Sequence, residues 1–152
     1  MAQVQLQTSI HIAASAATVW DILTDFSKYD SWNPFLQSMR GDFRTGERVR
    51  VTAGGMKFSP KVLVREENQE LRWLGHFLLP GIFDGEHTFL LTEHGDGTTT
   101  FEQHESFRGI LVGLFAKQLK TETHAGFEAM NRALKERAER LYRRSDARLE
   151  VS

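Results

Sequence analysis

The 152-residue chain contains no cysteine, which removes disulfides, thiol nucleophiles, thiolate-bound zinc and thiol redox chemistry together. It has only three prolines, and no apolar run approaches the length that crosses a bilayer as a helix. No charge sign dominates either: 19 basic against 20 acidic side chains leave no field that would draw nucleic acid or an anionic membrane. No Gly-rich phosphate loop follows a strand, and the six histidines lack metal-ligand spacing. Met1 to Leu6 alternate polar and apolar without a basic stretch leading into an apolar core, so they do not read as a signal peptide. These absences lead to the expectation of a cytoplasmic protein without metal or cofactor, without a nucleic-acid partner and without membrane insertion.

A chain of this length suits one domain, burying about 68–70 % of its unfolded surface. Leu6, Thr8, Ile10 and Ile12 alternate with polar residues, as in a strand with one buried face. Ser15 can cap a short helix carrying Val19, Trp20, Ile22 and Leu23, and a second short helix around Phe26–Tyr29 should stop at Asn33-Pro34. From Leu36 to Gly109 the pattern is short strands joined by turn signals, hence antiparallel neighbours. Gly54-Gly55 reads as a two-residue hairpin turn, and Glu67–Gln69 and Gly95-Asp96-Gly97 mark other turns. The expectation is an α+β fold. A curved seven-stranded antiparallel sheet wraps a long C-terminal helix over residues 112–144, with two short helices after the first strand. Residues 1–144 form the domain and residues 145–152 a frayed tail.

The long helix has an interrupted apolar stripe. Leu114, Phe115 and Leu119 open it, and Phe127, Met130, Leu134, Ala138 and Leu141 continue it at helical spacing. Between them the stripe passes through Thr123 and Gly126, where a plain core helix would carry large side chains, because voids cost about 24 cal/mol per Å³. Either a ligand cavity lies there, or Gly126 lets a strand approach closely.

Aligning Leu91 with Phe101 places Phe89 beside Gln103 and His87 beside Glu105 on one inward face of the last hairpin. Polar groups on such a face must be paired, since an unpaired one costs about 1–3 kcal/mol. His87 with Glu105 therefore reads three ways: a packed ion pair, a hydrogen-bonding site for a ligand, or a general base with its orienting acid. Met56, Phe58, Trp73 and Phe77 on middle strands face Phe115, Leu119, Phe127 and Met130 of the helix, as core, cavity wall or both. The apolar loop Leu78–Phe83 reads as a lid, a buried connection or a protein contact, and Trp32 with Phe35 as an opposite lip of the cavity.

Several strings together resemble a known family: Val19-Trp20-Asp21-Ile22-Leu23-Thr24-Asp25-Phe26, Tyr29–Phe35, Leu71-Arg72-Trp73, Phe83–Phe89, Glu105–Gly109 and Gly126–Asn131. With the order of elements, they resemble the START-like (SRPBCC) superfamily and its helix-grip fold, also seen in birch-pollen (Bet v 1-like) allergens, in the polyketide cyclase/dehydrase-like branch. The resemblance spans roughly residues 4 to 142 and implies a hydrophobic cavity between sheet and long helix. No catalytic motif of the family carries over residue by residue.

The expected function is binding of a small or medium hydrophobic molecule (aromatic, polyketide-like or lipid) without transforming it. The cavity residues would be Trp32, Phe35, Met56, Phe58, Trp73, Phe77, His87, Phe89, Gln103, Glu105, Phe115, Leu119, Thr123, Gly126, Phe127 and Met130. One alternative is a cyclase- or dehydrase-like enzyme moving a proton through His87 and Glu105. Another is a structural protein with a filled cavity and a homodimer contact through the 78–83 loop.

Overall fold

The structure, a computed structural model, describes residues 3–77 and 79–151, with side chains as far as residue 146. Strand β1 (Gln3–Ile12) buries alternate residues Val4, Leu6 and Thr8, as its pattern requires. Ser15 caps α1 (Ala16–Thr24) by accepting a hydrogen bond from the Thr18 N–H at 3.2 Å. A 3₁₀ turn (Phe26–Lys28) leads into the one-turn α2 (Tyr29–Trp32). Asn33 then accepts from the N–H groups of Phe35 and Leu36 and turns the chain into β2 (Leu36–Arg40). Tyr29 is fully buried with its hydroxyl donating to the Leu23 carbonyl, and burial raises its pKa well above the ordinary value.

Among the described residues eight strands form two sheets, where the sequence pattern implied seven in one. Strands β2, β3 (Arg50–Ala53) and β4 (Met56–Phe58) make a three-stranded sheet. Strands β5 (Lys61–Glu66), β6 (Glu70–Phe77), β7 (Phe83–Glu93) and β8 (Thr99–Arg108) join β1 in the order β1-β8-β7-β6-β5. The difference lies at Ser59-Pro60. Proline has no N–H for a ladder, so the run from Phe58 to Val64 breaks into β4 and β5. An isolated bridge, Arg48 to Lys61, still connects the two sheets. Gly54 and Gly55 both have positive φ, +55° and +84°, the backbone that a two-residue hairpin with the favoured twist demands.

The C-terminal helix is not continuous. Helix α3 (Val112–Gln118) passes through a π-helical turn (Leu119–Thr123) into α4 (His124–Val151). A local cause is visible. The Thr121 hydroxyl donates to the Lys117 carbonyl at 2.8 Å, competing for the acceptor that a regular α-helix gives to the Thr121 N–H. At its other end α4 runs to Val151, beyond the boundary expected at residue 144, so the backbone of residues 145–151 is helical, and Ser152 lies outside the described residues. Phe127, Met130, Leu134 and Ala138 are buried against the sheet, and α4 is fastened to the end of β1 by two polar contacts. Lys135 donates to the His11 carbonyl, and Glu139 accepts from the Ala13 N–H at 2.8 Å.

Gly126 is where the expected void is filled. A Cβ at this position would lie 2.5 Å from the Phe35 ring, which also packs edge-on against Phe127 at 5.3 Å. The glycine gives room to an aromatic from the segment before β2, not to a ligand. Gly126→Leu should therefore destabilise the protein by about 1–3 kcal/mol through overpacking, measured by urea unfolding. An increase in stability would show that the space is empty.

Candidate functional site

Cross-strand pairing assembles the inward face row by row. Leu6, Glu105, His87, Trp73 and Val62 are successive neighbours on β1, β8, β7, β6 and β5. The next row reads Val4, Phe107, Gly85 and Gly75. Two adjacent glycines on the inner face of a sheet leave a notch where two side chains would stand. The register of the last hairpin is the one expected, with Leu91 opposite Phe101, Phe89 opposite Gln103 and His87 opposite Glu105.

Beside this notch lies a cavity of about 480 Å³, between the β3–β4 hairpin, the inner face of β6–β8 and the π-helical turn. Phe35, Phe58, Phe77, Phe83, Phe107, Phe115 and Phe127, seven of the chain's eleven phenylalanines, line it, so its wall is chiefly aromatic. An offshoot of about 50 Å³, sharing His87 and Glu105 with the main cavity, reaches Trp73, Gly75 and Gly85. The mouth is apolar as well. Met56, Phe77 and Phe115 on its rim are exposed, as are Leu79, Ile110 and Leu114 on the neighbouring loops and α3. Leu79 is 67 % exposed, so the β6–β7 loop is not a buried connection; Leu78 lies outside the described residues. Asp84 pins this loop by accepting from the Gly81 N–H at 3.0 Å and contacting His76 Nδ1 at 2.7 Å.

Of the sixteen cavity residues expected from the sequence, ten line the main cavity: Phe35, Met56, Phe58, Phe77, His87, Glu105, Phe115, Leu119, Thr123 and Phe127. Trp73 lines the offshoot. The other five do not. Phe89 and Met130 are fully buried in the main core, Gln103 is buried behind His87, and Gly126 lies beneath Phe35. Trp32 lines a separate groove of about 280 Å³ with Asp21 and Arg137. Sequence reasoning missed Ala53, Gly54, Phe83, Phe107, Gln118 and Glu122. Phe107 was legible, since it stands two residues beyond Glu105 on the same face. Gln118 and Glu122 were not, because the π-helical turn changes which residues look inward.

At the inner wall a chain of buried polar groups can be read proton by proton. The Gln103 Nε2 amide lies 3.2 Å from the Phe127 carbonyl and 2.8 Å from Asn131 Oδ1. A backbone carbonyl only accepts, which fixes the orientation of the Gln103 amide. Its Oε1 therefore accepts from His87 Nε2–H at 3.0 Å, and Asn131 in turn donates to the Thr8 hydroxyl at 3.0 Å. With Nε2 holding a proton, His87 meets the Glu105 Oε2 through Nδ1. Two lone pairs cannot face each other there, so one further proton sits between imidazole and carboxyl. Trp73 lies flat on the imidazole with ring centroids 4.7 Å apart, while Phe89 and Phe127 meet it edge-on. His87, Gln103 and Asn131 are all at least 95 % buried. Among the described residues, no group of three or more His, Asp or Glu side chains could hold a metal ion, and no helix is long and apolar enough to cross a membrane.

The comparisons with known proteins agree with this architecture. A family model described as "Polyketide cyclase / dehydrase and lipid transport" matches residues 3–141. No curated protein matches the sequence. Among solved structures, a hypothetical protein, jhp0584, from Helicobacter pylori superposes with TM-score 0.76 at 16% identity, covering 89% of this chain and 88% of that one. A START superfamily protein from Mycobacterium smegmatis gives 0.66 at 24% identity, covering 90% and 98%. A norcoclaurine synthase point mutant from Thalictrum flavum, in complex with a transition-state analogue, gives 0.68 at 13% identity, covering 90% and 94%. These likenesses show the helix-grip fold.

The hydrogen-bond order at the wall is testable. ¹⁵N NMR of the His87 ring should show Nε2 protonated throughout the folded range. Gln103→Leu should cost about 1–3 kcal/mol for each of the partners it strands. An Nδ1-protonated ring with a free Nε2 would contradict the assignment.

Proposed function

The chain belongs to the polyketide cyclase/dehydrase and lipid transport family, and within it we propose that the cavity takes up a small or medium hydrophobic molecule without transforming it. The observation that carries this reading is the aromatic-lined cavity itself, about 480 Å³ and opening through an apolar rim. Pockets of this size suit ligands of drug-like dimensions. Binding would draw on apolar burial at about 25 cal/mol per Å² removed from water. The seven phenylalanines favour flat, aromatic or polyketide-like skeletons through edge and face contacts. Membership supports a hydrophobic-ligand or cyclase-like role at the coarser level.

One observation favours a second reading. His87 and Glu105 share a proton at the cavity wall, so a bound molecule could exchange one with them. Against it, Gln103 on one ring nitrogen and Glu105 on the other leave the imidazole no free position toward the cavity. That arrangement serves orientation better than proton abstraction, and the binding reading is the stronger.

Titration with the neutral fluorophore N-phenyl-1-naphthylamine tests the proposal. Saturable binding is expected, weakened about tenfold or more by Thr123→Phe, which fills the cavity from the π-helical turn, with the melting temperature retained. Absence of saturable binding, or no effect of the substitution, would contradict it. Conversion of a co-purified ligand by the wild type, lost in His87→Gln, would transfer the assignment to the enzymatic reading.

A further inference from the structure

Glu105 has two oxygens in different situations. Oε2 is sealed from solvent against His87 Nδ1. Oε1 lies over Gly85, 2.8 Å from where a Cβ would stand, and meets no protein donor among the described residues. It occupies the space that the missing side chain opens, where the cavity and its offshoot meet.

Oε1 has the same hydrogen-bonding character wherever the shared proton resides. If the proton is on Nδ1, Glu105 is a carboxylate and Oε1 offers lone pairs. If it is on Oε2, Oε1 is the carbonyl oxygen of the acid and again offers only lone pairs. The inner end of the cavity is therefore an acceptor in both states. The remaining lining adds no cation: its charged residues are Glu105 and Glu122, with no lysine or arginine. Thr123 and Gln118 can donate, but both are neutral and flank Glu122.

Resting on the reading of the cavity as a ligand site, we infer that its ligand is an apolar molecule bearing a hydrogen-bond donor, a hydroxyl or an amine, that is received by Glu105 Oε1. Free carboxylic acids, fatty acids included, are excluded. A carboxylate would set its lone pairs against Oε1, and the His87–Glu105 pair, neutral as a whole in either proton position, supplies no net positive charge to offset them. An analogue without a donor would shut solvent away from Oε1 and leave that oxygen unpaired.

Three probes share one skeleton: 2-naphthol, 2-methoxynaphthalene and 2-naphthoate. Calorimetric titration at neutral pH should show 2-naphthol binding at least about tenfold more tightly than either of the others. Glu105→Leu should bring 2-naphthol and 2-methoxynaphthalene to equal affinity. Glu105→Gln should keep most of the preference, because its amide can donate to a neutral His87 Nδ1 and leave its carbonyl facing Gly85. Equal or tighter binding of the ether or the naphthoate by the wild type overturns the inference and leaves the cavity reading standing. So does a preference that survives Glu105→Leu. If none of the three binds, the cavity reading fails and the inference with it. The wild-type comparison decides the matter even where a variant does not fold.

Discussion

The amide of Gln103 is the contact on which the rest of the site depends. It stands on β8, donates to a carbonyl and a side chain of α4, and accepts from His87 on β7. One side chain thus ties the rotation of the long helix to the inner face of the sheet. Buried polar groups of this kind are costly unless every partner is present, so the network admits one arrangement of helix against strands. It also gives His87 a fixed proton at Nε2, and this turns the other nitrogen toward Glu105.

The narrow offshoot beside this network results from what the sheet omits. Gly85 and Gly75 adjoin in the row next to His87 and Trp73, so the inner surface steps down by two side chains. The helix cannot follow that step, because Gln103 and Asn131 hold α4 at its height and Phe127 and Phe35 occupy the nearest space. The π-helical turn then carries the chain over the opening, placing Leu119, Glu122 and Thr123 along its edge. Offshoot and polar wall thus meet the main cavity where a stepped sheet faces a helix pinned to it.

Much of this was legible in the order of residues. Alternation in β7 and β8 placed His87 opposite Glu105, since one face must be apolar and a slip of one residue would have buried Glu102 and His104. Ser15, Asn33-Pro34 and Gly54-Gly55 marked their boundaries by local chemistry. What was not legible depends on contacts between distant segments. Gly126 read as a gap or as a close approach of a strand, but the Phe35 ring fills the space; Trp32 read as a lip, but lines a separate groove with Asp21 and Arg137. The glycines that line the offshoot, Gly75 and Gly85, stand in strands, where the missing side chain matters only once the neighbouring rows are known. The π-helical turn follows from a single hydroxyl on Thr121 that a periodicity argument does not weigh.

The most direct measurement is a crystal structure of the protein soaked with 4-bromophenol, with bromine located by its anomalous signal. The account predicts bromine among the cavity phenylalanines and the phenol oxygen within hydrogen-bond distance of Glu105 Oε1, over Gly85. Side chains closed across that space, or bromine bound only outside it, would contradict the claim that sheet and helix enclose a site built to receive a donor.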